Sequence, residues 1–195
     1  MVASPGMANI FYFDFVDPLS YLQEIELAKL DPALAARIAR IGFELVPPPA
    51  HLTSLHDERW ERRYAEARAS VAAAGVTLAP PPLVPWSRKA HELHVLAREH
   101  GRADIVRRAV FEAYFGRGED IGRVDRLVAL AVAAGLDRTA VKAALDVDRY
   151  QAQVAEERRQ ATEAGIVDTP SIALPGGTLR GFHNHGDLGS LLVGS

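Results

Sequence analysis

The run Ile10-Phe11-Tyr12-Phe13-Asp14-Phe15 is too short for a helix and too apolar for a solvated strand, so it suits a strand buried at the centre of a sheet. That strand, from Asn9 to about Val16, leads directly into Asp17-Pro18. An aspartate followed by proline is a capping carboxylate ahead of a first helical position, and Tyr21, Leu22, Ile25 and Leu27 continue with helical apolar spacing. A central strand feeding a capped helix is the first half of a β-α-β unit, and the other elements have to be arranged around it.

Pro32 interrupts or restarts the helix before Ala33 to Arg40, and Phe43 to Val46 reads as a second strand closed by Pro47-Pro48-Pro49. From Leu52 to Ala144 the pattern becomes alanine-rich and helical, over about 56–74, 87–100, 103–116, 122–134 and 138–145. The proline-rich stretch Pro80 to Pro85 separates two of these segments. Gly101 and Gly135 stand where helices end, and Asp137 and Asp148 where new ones want caps. A last long helix, Asp148 to Gly165, precedes Thr169-Pro170. Ser171 to Leu174, the turn Pro175-Gly176-Gly177 and Thr178 to Gly181 read as a hairpin, and Leu188 to Val193 as a short terminal helix. Strands at both ends and helices between them call for one sheet joined from the two ends, with the helices laid over it.

A chain of 195 residues with 48% hydrophobic content buries a substantial core without staples or metal. Its 22 basic and 25 acidic residues are interspersed, and a net charge of -3 gives no footprint for nucleic acid or an anionic membrane. No apolar run reaches membrane-span length, and Met1 to Met7 lacks the apolar core of a secretion signal, so a cytoplasmic protein is expected. The cysteine count is zero, which removes disulfides, thiolate nucleophiles and thiolate metal sites together.

The opening Phe11-Tyr12-Phe13-Asp14-Phe15-Val16-Asp17-Pro18-Leu19-Ser20-Tyr21-Leu22 resembles that of the 2-hydroxychromene-2-carboxylate isomerases and kappa-class glutathione transferases. Those show an aromatic strand and then Ser-Pro-aromatic-Ser-Tyr/Trp-Leu. Phe111, Ala113-Tyr114-Phe115, Gly118, Asp120-Ile121 and Gly135-Leu136-Asp137 resemble the helical insertion of the same DsbA superfamily, including its FrnE-like branch. Glu163 to Ser171 resembles the stretch that carries that superfamily's cis-proline. The resemblance implies an α/β thioredoxin-like fold with a helical insertion, as a single domain over 1–195. Its thioredoxin-like part would be about 8–50 and 148–195, and its insertion about 51–147. His51 to Trp86 matches least and lacks the Asn-x-Pro-Pro stretch that helps bind glutathione in the isomerases.

By the same resemblance, Asp17 stands where the superfamily has its first cysteine or the isomerases their catalytic serine, and Ser20 stands at the last motif position. An ionised aspartate accepts hydrogen bonds only and repels a thiolate, which argues against ordinary glutathione activation. Asp17 can act as a general base or orient a protonated substrate; capping the helix ahead of Pro18 explains the same pair. Ser20 is either a second catalytic candidate or a first-turn structural residue. Thr169 and Pro170 would offer backbone hydrogen bonds to glutathione or another extended peptide, and Phe182 and His183 fall near the residues that hold the γ-glutamyl end. The acidic residue that the family has there is missing.

His91 with His94, and His183 with His185, are spaced to chelate but lack a third ligand, so no metal is expected. Arg88 and Lys89 either meet a carboxylate or, as charges opening an amphipathic helix usually do, form its solvent face, and Tyr12 and Tyr21 read as core aromatics.

Three functions remain open. The first is a glutathione-linked enzyme like the 2-hydroxychromene-2-carboxylate isomerases, with glutathione as cofactor or a small aromatic acid as ligand. The second is a non-catalytic, redox-inactive FrnE-like module binding peptide or protein in the groove. The third is a dimer or assembly module, whose mark would be a large apolar patch away from the groove.

Overall fold

In the computed structural model, which describes residues 9–76, 78–79 and 83–193, the aromatic run forms β1 (Asn9–Phe13) near the middle of a four-stranded sheet. The strand order is β2-β1-β3-β4, with β2 (Ile38–Gly42), β3 (Ser171–Leu174) and β4 (Gly177–Arg180). β2 runs parallel to β1, with Phe11 beside Arg40, and β3 runs antiparallel on the other side, with Phe11 beside Ile172. β3 and β4 form the expected hairpin, closed by the pair Leu174 and Gly177. The two ends of the chain therefore build one mixed sheet.

α1 (Pro18–Ala28) starts on the Asp17 cap, and the five-residue α2 (Pro32–Ala36) starts on Asp31. The helical block comprises α3 (Glu58–Ala74), α4 (Arg88–Glu99), α5 (Ala103–Phe111), α6 (Val124–Ala133) and α7 (Arg138–Asp146). α5 widens into a π turn over Glu112–Gly116. α8 (Gln151–Glu163) returns to the sheet, and α9 (His185–Val193) closes the described chain. No helix among the described residues is long and apolar enough to cross a membrane.

The block and the sheet share one core. Phe13 packs edge-on against Phe15 at 5.0 Å between ring centroids, and Phe15 lies 5.0 Å from Phe111 of α5. Such pairs contribute about 0.5–1.5 kcal/mol beyond the area they bury.

Five expectations need correction. The second strand is Ile38–Gly42, not Phe43 to Val46, and the helix expected over Ala33 to Arg40 ends at Ala36. Phe43 and Leu45 are buried and made strand-like by hydrophobicity, but only Phe43 continues the ladder, donating to the Phe13 carbonyl at 2.8 Å. The Leu45 amide turns to the Asp14 carboxylate at 2.7 Å. β1 stops at Phe13, short of Val16, because the Asp17 amide bonds back to the Asp14 carbonyl at 3.1 Å. Asp148 caps nothing: it has a left-handed φ of 54°, its carboxylate takes Lys89, and α8 begins at Gln151. Arg88 is no solvent-face charge either, since its guanidinium grips the buried Glu44 carboxylate at 2.8 Å. Pro80 to Pro82 lie outside the described residues.

Candidate functional site

At the start of α1 the Asp17 carboxylate is fully buried and accepts five hydrogen bonds. One oxygen takes the Leu19 amide at 3.3 Å and Arg63 Nη1 at 2.8 Å; the other takes the Ser20 amide at 3.1 Å, the Ser20 hydroxyl at 2.6 Å and the Thr169 hydroxyl at 2.9 Å. A carboxylate has about four lone-pair sites, so none is left for a substrate proton. The helix-terminal amides that would stabilise a bound anion face this side chain instead.

The Thr169–Pro170 bond is cis, as the resemblance implied, and it brings Thr169 against Asp17. Both backbone groups that Thr169 would offer to an extended peptide already have partners. Its N–H donates to Asp168 Oδ1 at 2.9 Å, and its carbonyl accepts from Arg63 Nη1 at 2.8 Å. Arg63 Nη2 in turn pairs with Asp168, which also lies 3.7 Å from Arg59. One guanidinium thus ties α1, α3 and the cis-proline loop together.

Burial pushes the Asp17 carboxyl above its ordinary value, against the pull of Arg63 and of the Ser20 and Thr169 hydroxyls. Burial also opposes the charge on Arg63, but Asp17 and Asp168 outweigh it and raise its pKa. Behind this site lies a second fully buried aspartate, Asp14. It takes the Leu45 amide and stands 3.2 Å from His91 Nε2. Burial works against its ionisation, yet the His91 contact, the Leu45 amide and Ser87 together lower its pKa.

Beside the cis-proline loop opens a cleft of about 630 Å³ lined by Arg59, Arg62, Arg63 and Arg180, with Glu66 and Asp168 as its carboxylates. Arginines outnumber acids there, so its field favours an anion.

Asp17, Ser20, Thr169 and Pro170 are brought together; Phe182 and His183 stand to one side. Phe182 packs on the Leu19–Leu22 face of α1, and the His183 backbone exchanges hydrogen bonds with the Gln23 amide group at 2.9 and 3.0 Å. His91 and His94 are buried among Phe13 and Phe15, and burial with Arg107 nearby lowers the His94 pKa well below its usual value. His185 pairs with Glu26 at 2.7 Å. No cluster of three metal-ligating side chains occurs among the described residues.

Sequence reasoning missed Arg63 and Asp168. The signal for Arg63 was present: Trp60, Tyr64 and Ala67 form the buried stripe of α3, and Arg63 falls within it at helical spacing. An arginine inside an apolar stripe asks for a buried acid. Nothing local marks Asp168, whose partners Arg59 and Arg63 come from α3, more than 100 residues away in sequence.

Residues 10–189 match the model of the DSBA-like thioredoxin domain family. A curated relative, the uncharacterized protein YwbO of Bacillus subtilis (strain 168), is 26% identical over 84% of this chain and 82% of its own length. The probable DsbA oxidoreductase SCO1869 from Streptomyces coelicolor superposes with a TM-score of 0.79 at 25% identity, over 96% of this chain and 89% of that one. A 2-hydroxychromene-2-carboxylate isomerase superposes at 0.76 with 23% identity, over 96% and 94%. The cytosolic disulfide reductase DsbM from Pseudomonas aeruginosa, solved with GSH, superposes at 0.70 with 14% identity, over 96% and 98%. The last two show a shared fold alone. With its sheet order, cis-proline loop and family match agreeing, this cysteine-free chain belongs to the DSBA-like thioredoxin domain family.

Proposed function

We propose that this protein is a redox-inactive, non-catalytic binding domain that holds a small anionic ligand in the arginine-lined cleft beside Thr169 and Pro170. The observation that carries the reading is the enclosure of Asp17, which is 0% exposed and hydrogen-bonded to Arg63 and Thr169. A base in that state has neither access to a substrate nor a vacant lone pair. With no cysteine the chain has no thiol of its own, and the Asp17 charge disfavours a ligand thiolate. In this reading Asp17 and Ser20 hold the cleft walls together, Thr169 lines the cleft with Pro170 fixing its loop, and Phe182 and His183 brace α1. The chain works as one DsbA-like unit, with residues about 51–147 supplying Arg59, Arg62 and Arg63 of the cleft and β4 supplying Arg180.

Glutathione, with two carboxylates, is the natural first ligand to test. Isothermal titration should show reduced glutathione and S-methylglutathione binding alike, because the thiol has no role. Asp168→Ala should tighten both by about tenfold, since it releases Arg63, Arg59 and the Thr169 amide from an internal carboxylate. Absence of binding by the native protein and by Asp168→Ala would end the anion reading.

A second reading, a glutathione-dependent isomerase, is favoured by the Asp17-Pro18-Leu19-Ser20-Tyr21-Leu22 opening. It requires a marked preference for the free thiol, lost in the S-methyl analogue, together with turnover of a 2-hydroxychromene-2-carboxylate.

A further inference from the structure

A second cleft, of about 400 Å³, runs along α1 on the flank away from the cis-proline site. At about 100° per residue, Tyr21, Glu24, Ile25 and Ala28 fall on the helix face roughly opposite Leu19, which lines the first cleft. The second cleft is apolar in its body, through Ile25, Val76, Phe111 and the Tyr21 ring. Two charged groups on its walls lack a full complement of partners.

Glu24 is 5% exposed, and only one of its carboxylate oxygens is paired, taking Arg107 Nη2 at 2.8 Å. Its other oxygen, Oε2, is buried and has no hydrogen-bond partner among the described residues. An orphaned buried carboxylate oxygen costs about 1–3 kcal/mol, which a bound donor would recover. Arg108, also on the cleft wall, makes no hydrogen bond or ion pair with a described residue. The nearby Asp104 feels its charge, but its hydrogen bond goes to Arg107. Of the other rim charges, Lys29 holds Glu26 at 2.5 Å, and one oxygen of the exposed Glu112 accepts the Tyr21 hydroxyl at 3.0 Å. At this wall α5 widens into its π turn, a feature frequent at functional sites.

We propose that this cleft binds a zwitterion with a large apolar side chain, an α-amino acid of the phenylalanine or leucine kind. Its ammonium group donates to Glu24 Oε2, its carboxylate meets Arg108, and its side chain lies among Ile25, Val76 and Phe111. The site shares no lining residue with the anion cleft and stands or falls independently of it.

The test is isothermal titration of the whole protein with L-phenylalanine, with phenethylamine, which lacks the carboxylate, and with N-acetyl-L-phenylalanine, which lacks the ammonium. The expected result is saturable binding of phenylalanine, with each analogue weaker by about tenfold or more, the worth of one charge-assisted contact. Arg108→Ala, at an exposed position that leaves the fold intact, should bring phenylalanine down to the level of phenethylamine. Glutathione should not compete. Absence of phenylalanine binding overturns the proposal, as does equal binding of either analogue or unchanged phenylalanine binding by Arg108→Ala.

Discussion

The two buried aspartates at the front of this fold do opposite things with their charge. Asp14 is held below its ordinary value of 3.8, with burial opposed and outweighed by His91, the Leu45 amide and Ser87. A carboxyl whose folded pKa lies below its unfolded one adds stability above the unfolded value and loses it as pH falls through the folded value. Asp14 therefore contributes at neutral pH, and its contribution begins to fall near about pH 4 and is lost as pH drops through the lower folded value. Asp17 has the reverse sign: burial raises its pKa, so its contribution is present below 3.8 and is lost as pH rises through the folded value. Urea unfolding of Asp14→Asn between pH 2 and 7 should show a flattened acid limb and a loss at pH 7 of about 1–3 kcal/mol. Asp17→Asn should leave the acid limb at least as steep as in the native chain. A flattened limb in Asp17→Asn and a native one in Asp14→Asn would reverse the assignment.

Among the elements, β2 and α4 meet where a side chain is excluded. A Cβ at Gly42 would overlap the His91 ring, which Asp14 and the Phe13 and Phe15 rings hold in place. Gly42→Ala should cost about 1–3 kcal/mol, the usual range for overpacking a fixed core. Gly176→Ala, in the β3–β4 turn with open space around it, should stay within about 0.5 kcal/mol of native. Thermal unfolding of the two variants side by side checks the contrast, and equal losses would contradict it. Local chemistry announced some elements well. Asp17-Pro18 opens α1, Asp137 caps α7 through the Ala140 amide at 2.8 Å, and Gly101 and Gly135 end their helices with left-handed φ values of 65° and 87°. It misplaced β2, because the apolar run Phe43 to Val46 looked more strand-like than Ile38-Ala39-Arg40-Ile41-Gly42. What selects Ile38–Gly42 is its parallel register with β1, a pairing that no local preference encodes.

On the scale of the whole molecule, strands at both ends of the sequence and helices between them were enough to anticipate one sheet covered by a helical block. They could not show what joins the two. Arg63 lies 46 residues from Asp17 and 106 from Thr169 in sequence, yet one of its nitrogens bonds to both, and this junction exists only in three dimensions. In the function proposed above, this junction is what makes Asp17 a structural residue rather than a reactive one. A double-mutant cycle of Asp17→Ser and Arg63→Ala, followed by urea unfolding, measures that junction directly. Arg63→Ala alone should lose about 3–5 kcal/mol, because it strands a buried carboxylate. In the Asp17→Ser background the same change should cost at least about 2 kcal/mol less. Losses that add to within about 0.5 kcal/mol would mean that the two side chains do not act as a pair, and Asp17 would again be a candidate for catalysis.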